Sequence, residues 1–340
     1  MSLLEQRYRL ILKMLPASYR AEREEEMVEA FLQGAGQDRD EDNARPSWRE
    51  TVSIAALAVR SRLGGLGAAP RHRAVGDAVR LVALLGLGYQ AVIGWIDVLF
   101  SLHALGYLPG RSLVVTPGRQ VPQLLTTAGG LAQVAAFAAL ALGKVRAAKL
   151  LAVLGLVHVL VMVGIAALTW PRSVIDSAPH VLGAMVPVLA LLTGYHVDAP
   201  VRRSLPMTAL PLGLTAAYIA IALAFANLTG TNATPGHPTA WVAMWIDPQG
   251  VTVTVLLMAG LLCLVRDTTP AWRLGLAIVA ASMAVERSPV FLIGVERPVQ
   301  SLAITAIVQS AALSTLCLAL LVAGLRVLPH HPAVPLRDGS

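Results

Sequence analysis

A nearly continuous apolar stretch at residues 147–168 constrains the fold of this chain more than any other feature. A run of about 20 apolar residues is long enough to cross a bilayer as a helix, which satisfies its own backbone polar groups where lipid offers no partners. Three basic residues, Lys144, Arg146 and Lys149, lie at the first end of the stretch. Because basic residues flank membrane helices on the cytoplasmic side, we predict that this end faces the cytoplasm.

The composition of the whole chain supports a membrane protein. Hydrophobic residues make up 56% of the sequence and charged residues 14%, whereas a soluble protein carries about 25% charged residues. The net charge is +7. The basic residues lie between apolar stretches rather than on one soluble face, so we predict the lipid bilayer as a partner and no direct nucleic-acid binding.

Further apolar stretches predict a transmembrane domain with eight spans. The predicted spans are residues 78–101, 121–142, 147–168, 179–195, 207–228, 246–265, 270–285 and 301–325. Most loop arginines and lysines fall on the side of the N-terminus, so both termini are predicted to be cytoplasmic. Lysine occurs only at positions 13, 144 and 149, a composition that resembles proteins of GC-rich bacteria. We therefore expect an all-α, polytopic helix bundle in a bacterial cell (inner) membrane.

The residues before the first span predict a small helical head at residues 1–64. Pro16 separates two short amphipathic helices, and a capping box of Ser47 and Glu50 begins a third helix. One face of the third helix carries apolar side chains, namely Trp48, Val52, Ala55 and Val59. A basic linker is predicted at residues 65–76, the transmembrane domain at 77–328 and a cytoplasmic tail at 329–340.

The head also carries a pattern that resembles two related bacterial domains. The matching residues are Leu15, Pro16, Arg20, Glu24, Met27 and Phe31, followed by the helix that begins at Ser47. The pattern is similar to HAAS-type signalling domains, found beside PadR-like transcriptional regulators, and to the prefix domain of some ABC-type permeases. The resemblance covers about 60 residues and implies docking of a cytoplasmic regulator or an ATPase.

Acidic residues at the start of the second helix offer a candidate docking face in the head. This face comprises Arg20, Glu22, Glu25 and Glu26. Acidic side chains near a helix N-terminus are also favoured by the helix dipole alone. The sequence leaves open whether these residues bind a basic partner or form a solvated helix surface.

Ionisable and amide side chains inside predicted spans are candidates for an intramembrane site, because they are costly in lipid. His158 lies near the middle of the third span and Asp97 toward the outer end of the first. Each is either a ligand or proton site or a hydrogen-bonded structural residue. Three amides, Gln90, Gln133 and Gln309, are expected to form hydrogen bonds between helices.

The outer ends of the spans supply a second candidate site. Two Glu-Arg pairs, Glu286–Arg287 and Glu296–Arg297, flank a short apolar segment after a break at Ser288-Pro289. They are expected either to face outward as interface anchors or to belong to a broken helix that lines a ligand site. Three further residues near outer span ends, Asp176, His180 and Asp247, are able to gather into a cation or substrate site.

Motifs for catalysis, nucleotide binding and tightly spaced metal ligands are missing from the sequence. We therefore predict no catalytic residues, no metal site and no cofactor. The first functional hypothesis is a sensing or regulatory membrane protein that uses the head to dock a partner. The alternative is a transporter or an ABC-type permease subunit, which the layout of the second and third spans, similar to that of the sixth and seventh, also favours.

Overall fold

The computed structural model describes residues 3–35, 46–65, 68–107, 120–169, 173–196, 204–229, 240–288 and 300–328. All regular secondary structure in these residues is helical, which confirms the predicted all-α class. The helices are α1 (Leu3–Leu12), α2 (Ala17–Ala35), α3 (Trp48–Arg62), α4 (Pro70–Ala104), α5 (Gln120–Ala141), α6 (Val145–Thr169), α7 (Ser173–Gly194), α8 (Leu205–Thr229), α9 (Ala240–Ile246), α10 (Pro248–Val265), α11 (Pro270–Arg287) and α12 (Gln300–Val327).

Seven of the described helices, α4 to α8, α10 and α12, are long and apolar enough to cross a bilayer. They match seven of the eight predicted spans and make the chain a multi-pass membrane protein. The remaining predicted span, residues 270–285, forms the 18-residue helix α11. This helix carries Arg273, Glu286 and Arg287, so its composition is less apolar than that of the other seven.

Helix α11 lies inside the bundle. It packs most extensively against α12 and α4 and also contacts α7 and α10. Its buried residues include Arg273, Glu286 and Arg287. Since the neighbouring helices shield these charges from lipid, α11 tolerates side chains that a lipid-facing helix excludes.

Short turns fix the antiparallel order of neighbouring helices. Gly143, between α5 and α6, has φ +77°, a left-handed conformation that glycine adopts without steric cost. Residues 266–269 form a similarly short turn between α10 and α11, without a glycine. We refer to the end of the bundle at which α4 begins as the head side and to the opposite end as the distal side.

The head is a three-helix unit with a core of its own. Its buried residues are Tyr8, Leu12, Leu15, Val28, Phe31, Ile54 and Ala58. The rings of Tyr8 and Phe31 stack with centroids 3.9 Å apart. The capping box predicted at the start of α3 is confirmed, because Ser47 and Glu50 exchange side-chain hydrogen bonds with each other's backbone N–H groups.

The apolar face of α3 noted in the sequence is not the face that packs inward. It is largely exposed, with Trp48 75%, Val52 45% and Val59 43% accessible, whereas Ile54 and Ala58 enter the core. Both stripes are apolar, so the sequence pattern alone does not distinguish them. The contact with α1 determines which stripe is buried.

The connection from the head to the membrane domain is also shorter than predicted. Helix α4 begins at Pro70, which occupies its first turn, so most of the basic linker expected at residues 65–76 is helical. A Cβ added to Gly76 would lie 2.0 Å from the Leu63 carbonyl oxygen, and α3 contacts both α4 and α7. The end of α3 therefore lies directly against the membrane domain. The predicted tail, residues 329–340, falls outside the described residues.

Candidate functional site: a polar cluster and an apolar cavity

Six helices contribute to a polar cluster near the distal side of the bundle. The predicted sixth span, residues 246–265, begins as α10 directly after Asp247, and this residue separates α9 from α10. Asp247 accepts a hydrogen bond from the backbone N–H of Gly250 and so caps α10, with Pro248 in the first turn. An aspartate followed by proline is a favourable helix start. The capping role places the Asp247 carboxylate beside the end of α11.

Arg287 binds that carboxylate through two hydrogen bonds. Its Nη1 lies 3.1 Å from Asp247 Oδ2 and its Nη2 lies 2.6 Å from Oδ1. Nη2 also donates to the Met244 carbonyl oxygen at 3.1 Å, which accepts a second bond from Gln309 Nε2 at 3.1 Å. The Arg287 side chain is 4% exposed. This bidentate pair therefore joins α9, α10, α11 and α12 in a buried network.

Glu286 bonds to a different helix. Its Oε1 lies 3.0 Å from His180 Nδ1 on α7 and accepts a bond from Gln249 Nε2 at 3.3 Å. Its Oε2 is buried and accepts no bond of ordinary length from the described residues. Tyr89, on α4, is a hydrogen-bonding and electrostatic neighbour of the same carboxylate. Groups from α4, α7 and α10 therefore surround the Glu286 side chain.

The position of that oxygen is set by a glycine on α7. A Cβ placed on Gly183 would lie 3.2 Å from Glu286 Oε2, so the carboxylate packs close to the α7 backbone. Gly183 and Tyr89 also line a large cavity in the membrane domain. Glu286 is a neighbour of these two lining residues but does not itself line the cavity.

The cavity has a volume of about 460 Å³ and is lined by residues of α4, α5, α7, α8, α10 and α11. Its walls are almost entirely apolar, with aliphatic side chains such as Val82, Leu214, Val255 and Met283. The volume falls in the range of about 300–1,000 Å³ that is typical of small-molecule sites. The cavity is thus large enough for a ligand with a substantial hydrocarbon part.

One side of the cavity opens toward the lipid. Lining residues on two helices remain exposed, with Leu214 51% and Ile221 50% on α8 and Val255 57% on α10. Helix α8 makes its main contacts with α4 and α5. The gap between α8 and α10 therefore provides a lateral entrance from the bilayer.

The predicted intramembrane residues do not form one common site in the structure. Gln90 and Gln133 line the same small gap, of about 10 Å³, between α4, α5, α6 and α7. The His158 ring packs against α5, where a Cβ on Gly129 would lie 2.0 Å from its Cδ2. Gln309 instead belongs to the distal cluster. Asp97 joins neither group and makes no ion pair within the described part of the chain.

The predicted outer-face residues are also rearranged. Glu286 and Arg287 do not face outward, because only 9% and 3% of their surfaces are accessible. They bind side chains of other helices rather than each other, since adjacent helix residues point in different directions. Glu296 and Arg297 fall outside the described residues, as does the Asp176 side chain. His180 and Asp247, named as possible partners from the sequence, both enter the cluster.

Several site residues are not apparent from the sequence. Tyr89, Gly183 and Gln249 carry no local motif that separates them from other span residues. The Asp247-Pro248 pair is the one recognisable signal, because it predicts a helix start within an apolar stretch. Contacts between distant helices are needed to bring the remaining residues together.

Part of the candidate docking face of the head is used in ion pairs within the head. Arg9 Nη1 and Nη2 each donate to a carboxylate oxygen of Glu25 at 2.8 Å, and Arg20 lies 4.0 Å from Glu24. Glu22 and Glu26 are exposed. Glu25 is also exposed but is paired with Arg9, so Glu22 and Glu26 are the glutamates of the predicted face that make no ion pair among the described residues.

No protein-family model matches this chain, and no match was found among curated proteins or among solved structures. Within the described residues, no group of three or more His, Cys, Asp or Glu side chains is placed to hold a metal ion. The functional argument therefore depends on the geometry of the cluster, the cavity and the head.

Proposed function

We propose that the protein is a membrane-embedded regulator in which occupancy of the cavity is communicated to the cytoplasmic head. The head then changes its binding to a soluble regulator. The observation that carries this proposal is the continuity of α4, which contacts both the head and the cavity. The proposal places the head side of the bundle toward the cytoplasm, as the positive charges of the loops on that side favour.

Helix α4 is a direct physical connection between the two regions. It contains 35 residues and is about 52 Å long. Its first turns contact the end of α3 through Gly76 and Arg73, and residues between Val82 and Val92 line the cavity. If α4 has two positions in the bundle, a ligand that binds the protein more tightly in one of them increases the population of that position. Because α3 contacts α4, the position of α3 changes with it.

The surface of the head supports a docking role. Trp48, Val52 and Val59 form an exposed apolar stripe along α3, and Glu22 and Glu26 are exposed on α2. Exposed apolar patches often mark interaction surfaces. The resemblance of the head to HAAS-type signalling domains points to a transcriptional regulator as the partner.

A second candidate function is transport, with the head docking an ATPase subunit. The cavity between membrane helices and the buried Glu286 carboxylate beside it favour this alternative. In a transporter, the lateral entrance between α8 and α10 would admit a hydrophobic substrate. The identity of the protein bound by the head distinguishes the two functions.

We expect the full chain, purified in mild detergent, to retain a soluble regulator that a chain lacking residues 1–64 loses. The Trp48→Ala variant should retain less of this partner, because it truncates the exposed stripe without touching the head core. Mass spectrometry of the co-purified proteins provides the measurement. An ATPase subunit in place of the regulator would favour the permease function.

A substitution at the head–membrane junction tests the role of α4. Gly76→Leu should reduce partner retention, because its side chain would displace the end of α3 from α4. Gly213→Leu is the matched control, since no atom lies within 4 Å of a Cβ at that position.

The deletion experiment has its own contrary outcome. If the chain without residues 1–64 retained the partner as well as the full chain does, docking through the head would be refuted.

A further inference from the structure

We infer that the cavity holds one acyl chain of a phospholipid from the head-side leaflet, while the head group of that lipid stays outside, at the membrane surface. The inference names the ligand of the proposed regulator and in that respect rests on the proposed function, because the acyl chain is then the signal that α4 transmits to the head. Occupation of the cavity itself depends only on its lining, its opening and its place among the membrane helices.

The lining of the cavity disfavours a charged occupant. Among the described residues that form it, none is an aspartate, glutamate, lysine, arginine or histidine. Thr252 Oγ1 donates to a carbonyl of its own helix at 2.7 Å, and Ser282 Oγ does the same at 3.1 Å. The Tyr89 hydroxyl has Glu286 as its hydrogen-bonding neighbour. A charged head group in the cavity would lose its water without gaining a counter-charge, which is costly.

Water is also a poor occupant of this space. A buried water molecule needs about two to four polar partners, and the hydroxyl groups of Thr252 and Ser282 already have partners in their own helices. An empty cavity of about 460 Å³ would leave its walls without contacts on one side, so they would lose dispersion energy. A hydrocarbon chain supplies these contacts and requires no hydrogen bonds.

The shape of the cavity favours a long, extended chain. On α8 the lining residues run from Met207 to Ile221, a distance of about 21 Å along the helix axis. On α11 they run from Trp272 to Met283. The hydrocarbon core of a bilayer is about 30 Å thick. The cavity therefore follows the helices across about two thirds of that core, in the direction in which acyl chains lie.

The opening of the cavity identifies the bilayer as the source of the chain. The lining residues Leu214, Ile221 and Val255 remain 51%, 50% and 57% exposed on α8 and α10. The lining is thus continuous with the outer surface of membrane helices, against which lipid chains lie. A chain can enter sideways between α8 and α10 without leaving its apolar surroundings.

Trp272 indicates which leaflet supplies the lipid. It lies in the first turn of α11, on the head side, where it lines the cavity and is 46% exposed. Tryptophan is enriched at the level of the lipid head groups. The other end of the lining includes Tyr89 and the buried Gly183, next to the polar cluster. The lipid therefore keeps its head group near Trp272 and directs its chain toward Gly183.

Photo-crosslinking of the full chain in phosphatidylcholine nanodiscs tests occupation of the cavity. The probe is a phosphatidylcholine with a diazirine at the end of one acyl chain. Two neighbouring alanines on α8 give matched variants, since Ala217 lines the cavity and Ala216 is exposed without lining it. Ala217→Phe should reduce labelling of the lining residues of α10 and α11 about fivefold, because overpacking disfavours the chain. Ala216→Phe should leave this labelling unchanged.

The same variants separate the chain in the cavity from other lipids around the protein. We define cavity labelling as the labelling that Ala217→Phe removes and Ala216→Phe preserves. Size-exclusion chromatography establishes that each variant remains folded. Unaltered labelling of a folded Ala217→Phe chain would refute occupation of the cavity, and crosslinked dimers without cavity labelling would overturn the inference by showing that a second copy covers the opening.

A second probe, with the diazirine close to the ester, tests the orientation of the lipid. We expect its cavity labelling on the head side, around Met207 and Trp272, whereas the chain-end probe should label around Ile221 and Val251. Mass spectrometry of the crosslinked peptides locates the labelled residues. The reverse order would place the lipid in the distal leaflet and overturn the inference.

Other outcomes separate the lipid inference from the proposed function. Cavity labelling, together with an Ala217→Phe variant that retains the partner as the wild type does and shows the same hydrogen exchange in the head, would support the lipid site and contradict the regulator. Partner retention that depends on the head, without cavity labelling, would support the regulator and reject an acyl chain as its ligand.

Discussion

Glu286 and Arg287 are adjacent in the chain but bind groups on different helices. The Arg287 guanidinium is neutralised by Asp247, while Glu286 bonds to His180 and Gln249 and has Tyr89 as a hydrogen-bonding neighbour. A buried ion pair adds little net stability because of the cost of desolvation, but the loss of one partner is costly. Arg287 is thus expected to maintain the structure of the cluster.

Replacement of Arg287 by methionine should destabilise the membrane domain. The change leaves the Asp247 carboxylate without its cation, which costs roughly 3–5 kcal/mol for a buried pair. Asp247 is 37% exposed, so we expect a value toward the lower end of that range. The unfolding midpoint in a detergent titration measures the effect. Arg266→Met, at an exposed position on the head side, serves as control, and equal midpoints for the two variants would contradict the structural role.

At the scale of the helix, small residues determine how closely α4 and α5 approach. A Cβ on Gly94 would lie 2.5 Å from the Gly130 carbonyl oxygen, and a Cβ on Gly130 would lie 2.6 Å from the Gly94 carbonyl oxygen. Membrane helices use such small residues to pack backbone against backbone. This contact positions the half of α4 that carries Tyr89 and so helps to form the cavity wall.

Gly94→Leu should separate α4 from α5 and destabilise the bundle by about 1–3 kcal/mol, the usual cost of overpacking. Detergent-induced unfolding again provides the measurement. Gly164→Leu on α6 is a matched control, because no atom lies within 4 Å of a Cβ at that position. A Gly94 variant as stable as the Gly164 variant would show that the close approach is dispensable.

The whole molecule combines two cores of different character. The head buries aromatic and aliphatic side chains around Tyr8 and Phe31, whereas the membrane domain packs alanine and branched aliphatic residues between long helices. The end of α3 and the first turns of α4 connect them. Because each core is separate, local unfolding of the head need not disrupt the membrane domain.

Acid should weaken the head selectively. The hydrogen bonds from Arg9 hold the pKa of Glu25 below its ordinary value of 4.5. A carboxyl with a lowered folded-state pKa stabilises the fold above its unfolded pKa, and this contribution is lost as the pH falls through the folded-state pKa. Protection of α1 and α2 from hydrogen exchange, corrected for intrinsic rates, should therefore decrease below about pH 4.5.

The Arg9→Gln variant provides the comparison for this pH effect. Its head should be less protected than the wild type at pH 7, and the difference should diminish in acid because Glu25 becomes neutral in both proteins. Arg49→Gln, at an exposed position of α3, should behave like the wild type throughout. A constant difference between Arg9→Gln and the wild type across this pH range would exclude the Glu25 pairing as its cause.

The fold could be predicted from the sequence much further than the site. Apolar length and composition located the eight long helices of the membrane domain, and Ser47 with Glu50 predicted the start of α3. The burial of Glu286 and Arg287 could not be predicted, because it depends on neighbours supplied by other helices. His180 and Glu286 are 106 residues apart, and Asp247 and Arg287 are 40 apart.

The sequence by itself determined that this is a helical, multi-pass membrane protein with a separate helical head, because hydrophobic length and helix capping act over a few turns of chain. Only the tertiary structure decided which apolar face of α3 is buried, which helix lies inside the bundle and where the cavity opens. These features follow from the packing of helices that are distant in sequence. The polar cluster around Asp247, Glu286 and Arg287 is a product of that packing.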